Sequence, residues 1–288
     1  MRIGIIGKGG SGKTSLTWML AQALLQNDQK LCLIDADYNQ HLAAMFGVQN
    51  REIMPLFECK AELVRHAIGS RNDITMEDFR KDTTPVEQSG RFDLFNPGTV
   101  PEPCVIALNS HISLARVGDY RSEDQGEKCY HYHTGAVDIL LNHHVPLAQD
   151  QHILIDYTAG IDPAVSRLSQ IIDVLVLAVE PTLKGVQVVH QWQTLLAQSE
   201  IPLIVVGNKV TGNDDAVWLA SALSPKECKM FLEHEPALQF IERGNMQEWG
   251  QLKASNKREL QKLVEKLHEK STHIGHLSFG PEAVFAEY

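Results

Sequence analysis

The stretch that most constrains this chain is GKGGSGKTS, Gly7 to Ser15, directly behind the apolar run IGII. Gly7, Gly12, Lys13 and Thr14 satisfy G-x-x-x-x-G-K-[ST], and a strand in front with a helix behind is the setting that gives this spacing its meaning. Glycines let backbone N–H groups converge on phosphate oxygens, a lysine neutralises the β- and γ-phosphates, and a hydroxyl ligates Mg²⁺. Gly9, Gly10, Ser11, Gly12, Lys13, Thr14 and Ser15 are therefore expected to cradle a nucleotide, with Lys13 on phosphate and Thr14 on the metal. Lys8 is one lysine more than such a loop needs.

The rest of the chain supplies the sheet that this loop requires. RIGII, KLCLID, HISLARV, HILID, DVLVLAV and PLIVVGN recur as short runs bounded by turn residues. Several are apolar without alternation, the pattern of strands covered on both faces, and helical stretches such as SLTWMLAQALLQ and GVQVVHQWQTLLAQ separate them. The expectation is α/β: a doubly wound, mostly parallel sheet flanked by helices, in a single phosphate-loop domain over 1–270 with a tail over 271–288. Residues 50–103 are polar, mixed and rich in Pro and Gly, and read as an insertion over the active face. Near the end, Leu260, Leu263, Val264 and Leu267 stand at helical spacing, a face for packing on the domain.

Charge and cysteines narrow the class further. A formal net charge of -10 argues against a polyanion as main partner, and IIDVLVLAV is half the length of a membrane span and carries Asp173. The amino terminus enters a strand with no signal-peptide core, which reads as cytoplasmic. Five scattered cysteines fit reduced thiols better than a disulfide framework.

The form KGGSGKT resembles the deviant phosphate loop of the MinD, ParA and arsenical-pump ATPases. That resemblance implies ATP hydrolysis in a nucleotide-dependent homodimer, with Lys8 reaching the partner's nucleotide as an arginine finger does. LIDADYNQHLAAMFG is similar to the family's switch I, which implies Asp35 near Mg²⁺ and Asp37 orienting the attacking water. DYTAGID looks like switch II, implying Asp156 on the magnesium and Gly160 as a hinge. LIVVGNKV resembles the family's strand ending in asparagine, implying that Asn208 contacts adenine; Thr211 stands where guanine-binding relatives carry an acid, so ATP is favoured over GTP.

The region ISLARVGDYRSEDQGEKCYHYHTGAVDILLNHH resembles the CooC-type nickel-insertion accessory ATPases, as do DADYNQHLAAMFG and DYTAGIDPAVSR. This implies a metallocentre-maturation switch with an unidentified client metalloenzyme. Where those relatives carry CxC, this chain has Cys129 and His131, then His133. Alternating in C-x-H-x-H, the three would share one side if extended, and thiolate with imidazole suits Zn²⁺ or Ni²⁺. Packing is the other use for such residues, and His143 and His144 could add a ligand. Two rival readings remain open. A partition or positioning ATPase would act as a scaffold, although FGPEAVFAEY offers neither a basic patch nor a membrane helix. An iron-sulfur reductase would draw on Cys104 and Cys129.

Overall fold

A computed structural model describes residues 1–75, 79, 84–96, 98–119, 130–160, 171–223, 228–243, 245 and 249–274. Each of the six runs read as strands forms one. They are β1 (Arg2–Gly7), β2 (Lys30–Ala36), β4 (Ile112–Arg116), β5 (Gln151–Tyr157), β6 (Val174–Val179) and β7 (Leu203–Val210). Two more close the edges: the three-residue β3 (Val105–Ala107) and β8 (Cys228–Glu233). The sheet order is β3-β4-β2-β5-β1-β6-β7-β8, parallel throughout except that β3 runs antiparallel to β4. β6 is buried at every position because helices cover both of its faces, as the unbroken VLVLAV requires.

One face carries α1 (Lys13–Leu25), the short α2 (Leu42–Met45) and, later in the chain, two further helices whose apolar residues join the same core. These are Pro236–Glu242 and Ala254–Ile274, α7 and α8 in chain order. α1 buries residues all round because it lies between the sheet and α8. The Leu260, Leu263, Val264 and Leu267 stripe is the buried side of α8. The other face carries α3 (Lys60–Ile68), α4 (Tyr130–Asn142), α5 (Leu183–Leu195) and α6 (Asn213–Ala222). None of the described helices is long and apolar enough to cross a membrane.

The 50–103 segment contributes more to the core than its composition suggests. Leu56, Leu63, Val64, Ala67, Phe79, Phe92, Leu94 and Val100 are buried in the α4 side of the sheet. No described residue of the segment lines the nucleotide cleft. The cysteines correct the all-thiol expectation: Cys59 and Cys104 are joined as a disulfide. The 53–57 loop lies along the end of β4, with Leu56 N on Arg116 O at 2.9 Å and Met54 N on Pro103 O at 3.1 Å, and this tertiary pairing brings together two thiols 45 positions apart.

Candidate nucleotide site

β1 ends at Gly7, where only glycine fits, since a Cβ there would sit 2.5 Å from Ser11 Oγ and 2.7 Å from the Ala178 carbonyl. The loop then turns into α1 through Gly12, at φ 85°, a conformation that favours glycine. α1 has no side-chain cap and no acid in its first turn, so its leading N–H groups are left for an anion in front of them. An open cleft of about 650 Å³ lies there, lined by Gly9, Gly10, Gly12, Lys13, Thr14, Ser15, Asp37 and Lys209 among others.

Register aligns the charged groups around that cleft. Asp35 of β2 pairs with Arg116 of β4 on one side and Asp156 of β5 on the other. Both Asp35 oxygens are engaged by the start of switch I, Oδ1 accepting from Asp37 N at 3.2 Å and Oδ2 from Leu42 N at 2.9 Å. Asp156 is wholly buried, and neither of its oxygens has a hydrogen-bond partner of good geometry among the described residues. Burial pushes its carboxyl up to about 7, against the pull of the neighbouring Thr14 hydroxyl and Lys13. Asp35 is raised well above the usual carboxylate range, first by burial and then by Asp156. Two buried carboxylates side by side, one with uncommitted oxygens beside the Thr14 hydroxyl, fit a hard divalent cation.

Asp37 has different partners from Asp35. Its Oδ1 accepts from Asn39 N at 2.9 Å, and its Oδ2 stands 3.9 Å from Lys13 Nζ, the ammonium meant for phosphate. Gly160 N donates to Gly7 O at 3.2 Å, tying switch II to the loop. Lys8 is half-buried, and its side chain makes no hydrogen bond or ion pair among the described residues.

The geometry is that of a nucleotide-binding protein, and its kinship is specific. Residues 4–244 match the family described as the CobQ/CobB/MinD/ParA nucleotide binding domain. The chain belongs to this family. With membership comes ATP hydrolysis. The chain is 26% identical over 222 residues to the carbon monoxide dehydrogenase accessory protein CooC of Rhodospirillum rubrum, covering 76% of this chain and 78% of that one. It is 29% identical over 216 residues to an uncharacterized ATP-binding protein of Methanocaldococcus jannaschii, covering 74% and 77%. Among solved structures, the fold resembles MinD with Mg-ADP from Pyrococcus horikoshii, with TM-score 0.60 and 16% identity over 92% of this chain and 95% of that one. It also resembles a plasmid partition protein from Borrelia burgdorferi bound to AMPPNP, with TM-score 0.59 and 16% identity over 93% and 98%.

Within this family frame the base end differs from the sequence reading in detail. Asn208 Nδ2 donates to Ser11 O at 2.8 Å, so one of its two amide hydrogens clamps the loop, and the second N–H and the oxygen remain for a ligand. Beside it lies a smaller pocket of about 190 Å³ lined by Ser15, Asn208, Glu233, His234 and Glu235 among others. Thr211 N donates to Asp215 Oδ2 at 2.8 Å, so that acid is taken up locally. The sequence reading passed over Lys209, which sits at φ 58° and reaches back across the cleft to Gly10 O and to Glu180 Oε1, the latter at 3.0 Å. Its place immediately after Asn208 was the available signal.

Of the C-x-H-x-H array, Cys129 lies outside the described residues, and His131 and His133 fall on the helix α4 and not on an extended segment. His133 is fully buried and stacks on Phe57 with ring centroids 4.2 Å apart. His143 and His144 are buried against the backbone around Gly90 and Leu94. Cys104, one of the two cysteines open to an iron-sulfur cluster, is bonded to Cys59.

Proposed function

We propose that the chain is an ATP-driven dimeric switch that serves metallocentre maturation in the manner of the CooC-type accessory ATPases. The observation that carries the switch is the Lys13–Asp37 pair at 3.9 Å. A β- or γ-phosphate arriving at Lys13 competes with Asp37 for the same ammonium. Nucleotide binding then frees the Asp37 carboxylate, while Asp35 goes on holding the Asp37 and Leu42 N–H groups. Thr14 and Asp156, with Asp35 behind them, would hold Mg²⁺, which supplies charge neutralisation on the phosphates. Asp37, once freed, orients the attacking water. Lys8, whose side chain has no partner among the described residues, completes the site of a second copy across the dimer.

The maturation role is supported by the relatedness to CooC over three-quarters of both chains. The client metalloenzyme and any Zn²⁺ or Ni²⁺ at Cys129, His131 and His133 belong to this reading. A ligand set built on them would draw on a partner copy. The scaffold reading draws on likeness of fold to MinD and to plasmid partition proteins. Light scattering with Mg-ATP, together with turnover of Lys8→Ala, tests the switch. The expected result is that ATP converts monomer to dimer, while Lys8→Ala binds nucleotide and loses turnover. A variant that dimerises and hydrolyses like the parent refutes the trans role.

A further inference from the structure

Three sulfur atoms converge on the α3 side of the sheet, in a place that the nucleotide chemistry does not use. Cys59 caps the start of α3, Cys104 stands just before β3, and Met54 Sδ lies 3.2 Å from Cys59 Sγ. Both cysteines are buried, whereas Met54 is 37% exposed and opens the cluster to solvent. The Cys59 and Cys104 Cα atoms are 7.4 Å apart. A thioether aimed at a thiol adds nothing to a disulfide, but it completes a soft three-sulfur donor set.

We propose that Cys59, Cys104 and Met54, once the disulfide is reduced, form a site for a soft monovalent d¹⁰ cation of the Cu(I) class. Two thiolates and a thioether select such an ion over the harder divalent metals, which prefer imidazole or oxygen. In loading, a phosphine first donates two electrons to the disulfide and, with water, becomes the phosphine oxide and leaves two thiols. Each thiol then gives its proton to solvent as a sulfur–metal bond forms, and the oxidation state of the metal does not change. The site lies outside the 129–133 array and is independent of the maturation reading.

Anaerobic titration with Cu(I) against a chromophoric chelator tests the proposal. The phosphine-reduced parent is expected to take up one Cu(I) per chain more than Cys59→Ser/Cys104→Ser, with Cys129 present in both and so cancelling. Met54→Leu keeps both thiols and is expected to weaken that increment by about tenfold. The oxidised parent is expected to lack it. Should the double variant fail to fold, alkylation mapping of the parent gives the same answer, since bound Cu(I) should shield Cys59 and Cys104 from iodoacetamide. Equal uptake by parent and double variant overturns the site, as does an absence of shielding. Unchanged affinity in Met54→Leu removes the thioether, and displacement by equimolar Zn²⁺ or Ni²⁺ refutes the soft monovalent assignment.

Discussion

Asp156→Asn is the substitution whose consequence can be worked furthest from the structure. The Asp156 carboxyl moves from 3.8 to about 7 on folding, chiefly through burial. Between those values the folded chain binds more protons than the unfolded one, so this group makes stability fall as pH rises and stops contributing a slope above about 7. A shift of about three units corresponds to about 4 kcal/mol of destabilisation by pH 8 and about 2 at pH 5, the larger figure being the limit before the surroundings relax. Asp35, raised in part by Asp156, adds a slope of the same sign. The asparagine has no charge to bury and relieves Asp35 as well. The nucleotide-free variant should therefore exceed the parent in urea denaturation by about 2–4 kcal/mol at pH 8 and by less at pH 5. It should also lose Mg²⁺-dependent turnover. A parent whose stability climbs from pH 5 to pH 8, or a variant less stable than the parent at pH 8, would refute the reasoning and make Asp156 a structural acid.

Further substitutions separate the remaining roles. Asp37→Ala should still bind ATP and form a dimer but hydrolyse about 100-fold more slowly by phosphate-release assay, whereas loss of binding would move Asp37 to the magnesium shell. Arg116→Met should cost about 3 kcal/mol in denaturation, because buried Arg116 donates to Ile53 O at 2.9 Å and to Gln40 Oε1 at 2.8 Å, and the methionine leaves both without a donor. Lys209→Ala should change stability by less than about 0.5 kcal/mol, since the ammonium is largely solvated. The same variant should weaken ATP binding in calorimetry through loss of its hold on Gly10.

What was legible followed from covered strands and from glycine. IGII, LCLI and VLVLAV are apolar because both faces of the sheet are packed, and no other environment suits such runs. β8 was missed because an edge strand with exposed positions, CKMFLE, lacks that signature, and β3 because three residues carry no period. α3, in KAELVRHAI, is short and mixed, and its fully buried side is only the Leu63, Val64 and Ala67 edge. In YHYHT the alternation of aromatic and histidine mimics a strand. The chain is helical there because burial of His133 against Phe57, with Ala136, Val137 and Leu140 in the same core, sets a helical period. The Cys59–Cys104 and Arg116–Gln40 contacts join segments 45 and 76 residues apart, and local pattern carries no information about either.

The two switch I acids show how far a motif determines roles and where geometry takes over. Residues two apart at the end of a strand need a bend between them before they can serve different partners. Here the bend is built by the acid itself: Asp35 accepts from Asp37 N and Leu42 N, so one carboxylate shapes the loop that aims the next. An acid with both oxygens committed to backbone makes a poor primary ligand, which leaves Asp156, with its oxygens uncommitted, as the carboxylate nearest to a magnesium role. Arg116 stands across the register from Asp35 and grips Gln40, so switch I is held from two strands at once. The one contact in this set that a phosphate would break is Lys13 to Asp37, so in the proposed switch nucleotide acts first on the Asp37 carboxylate, while Asp35 and Arg116 keep their contacts to the Asp37 and Leu42 N–H groups and to Gln40.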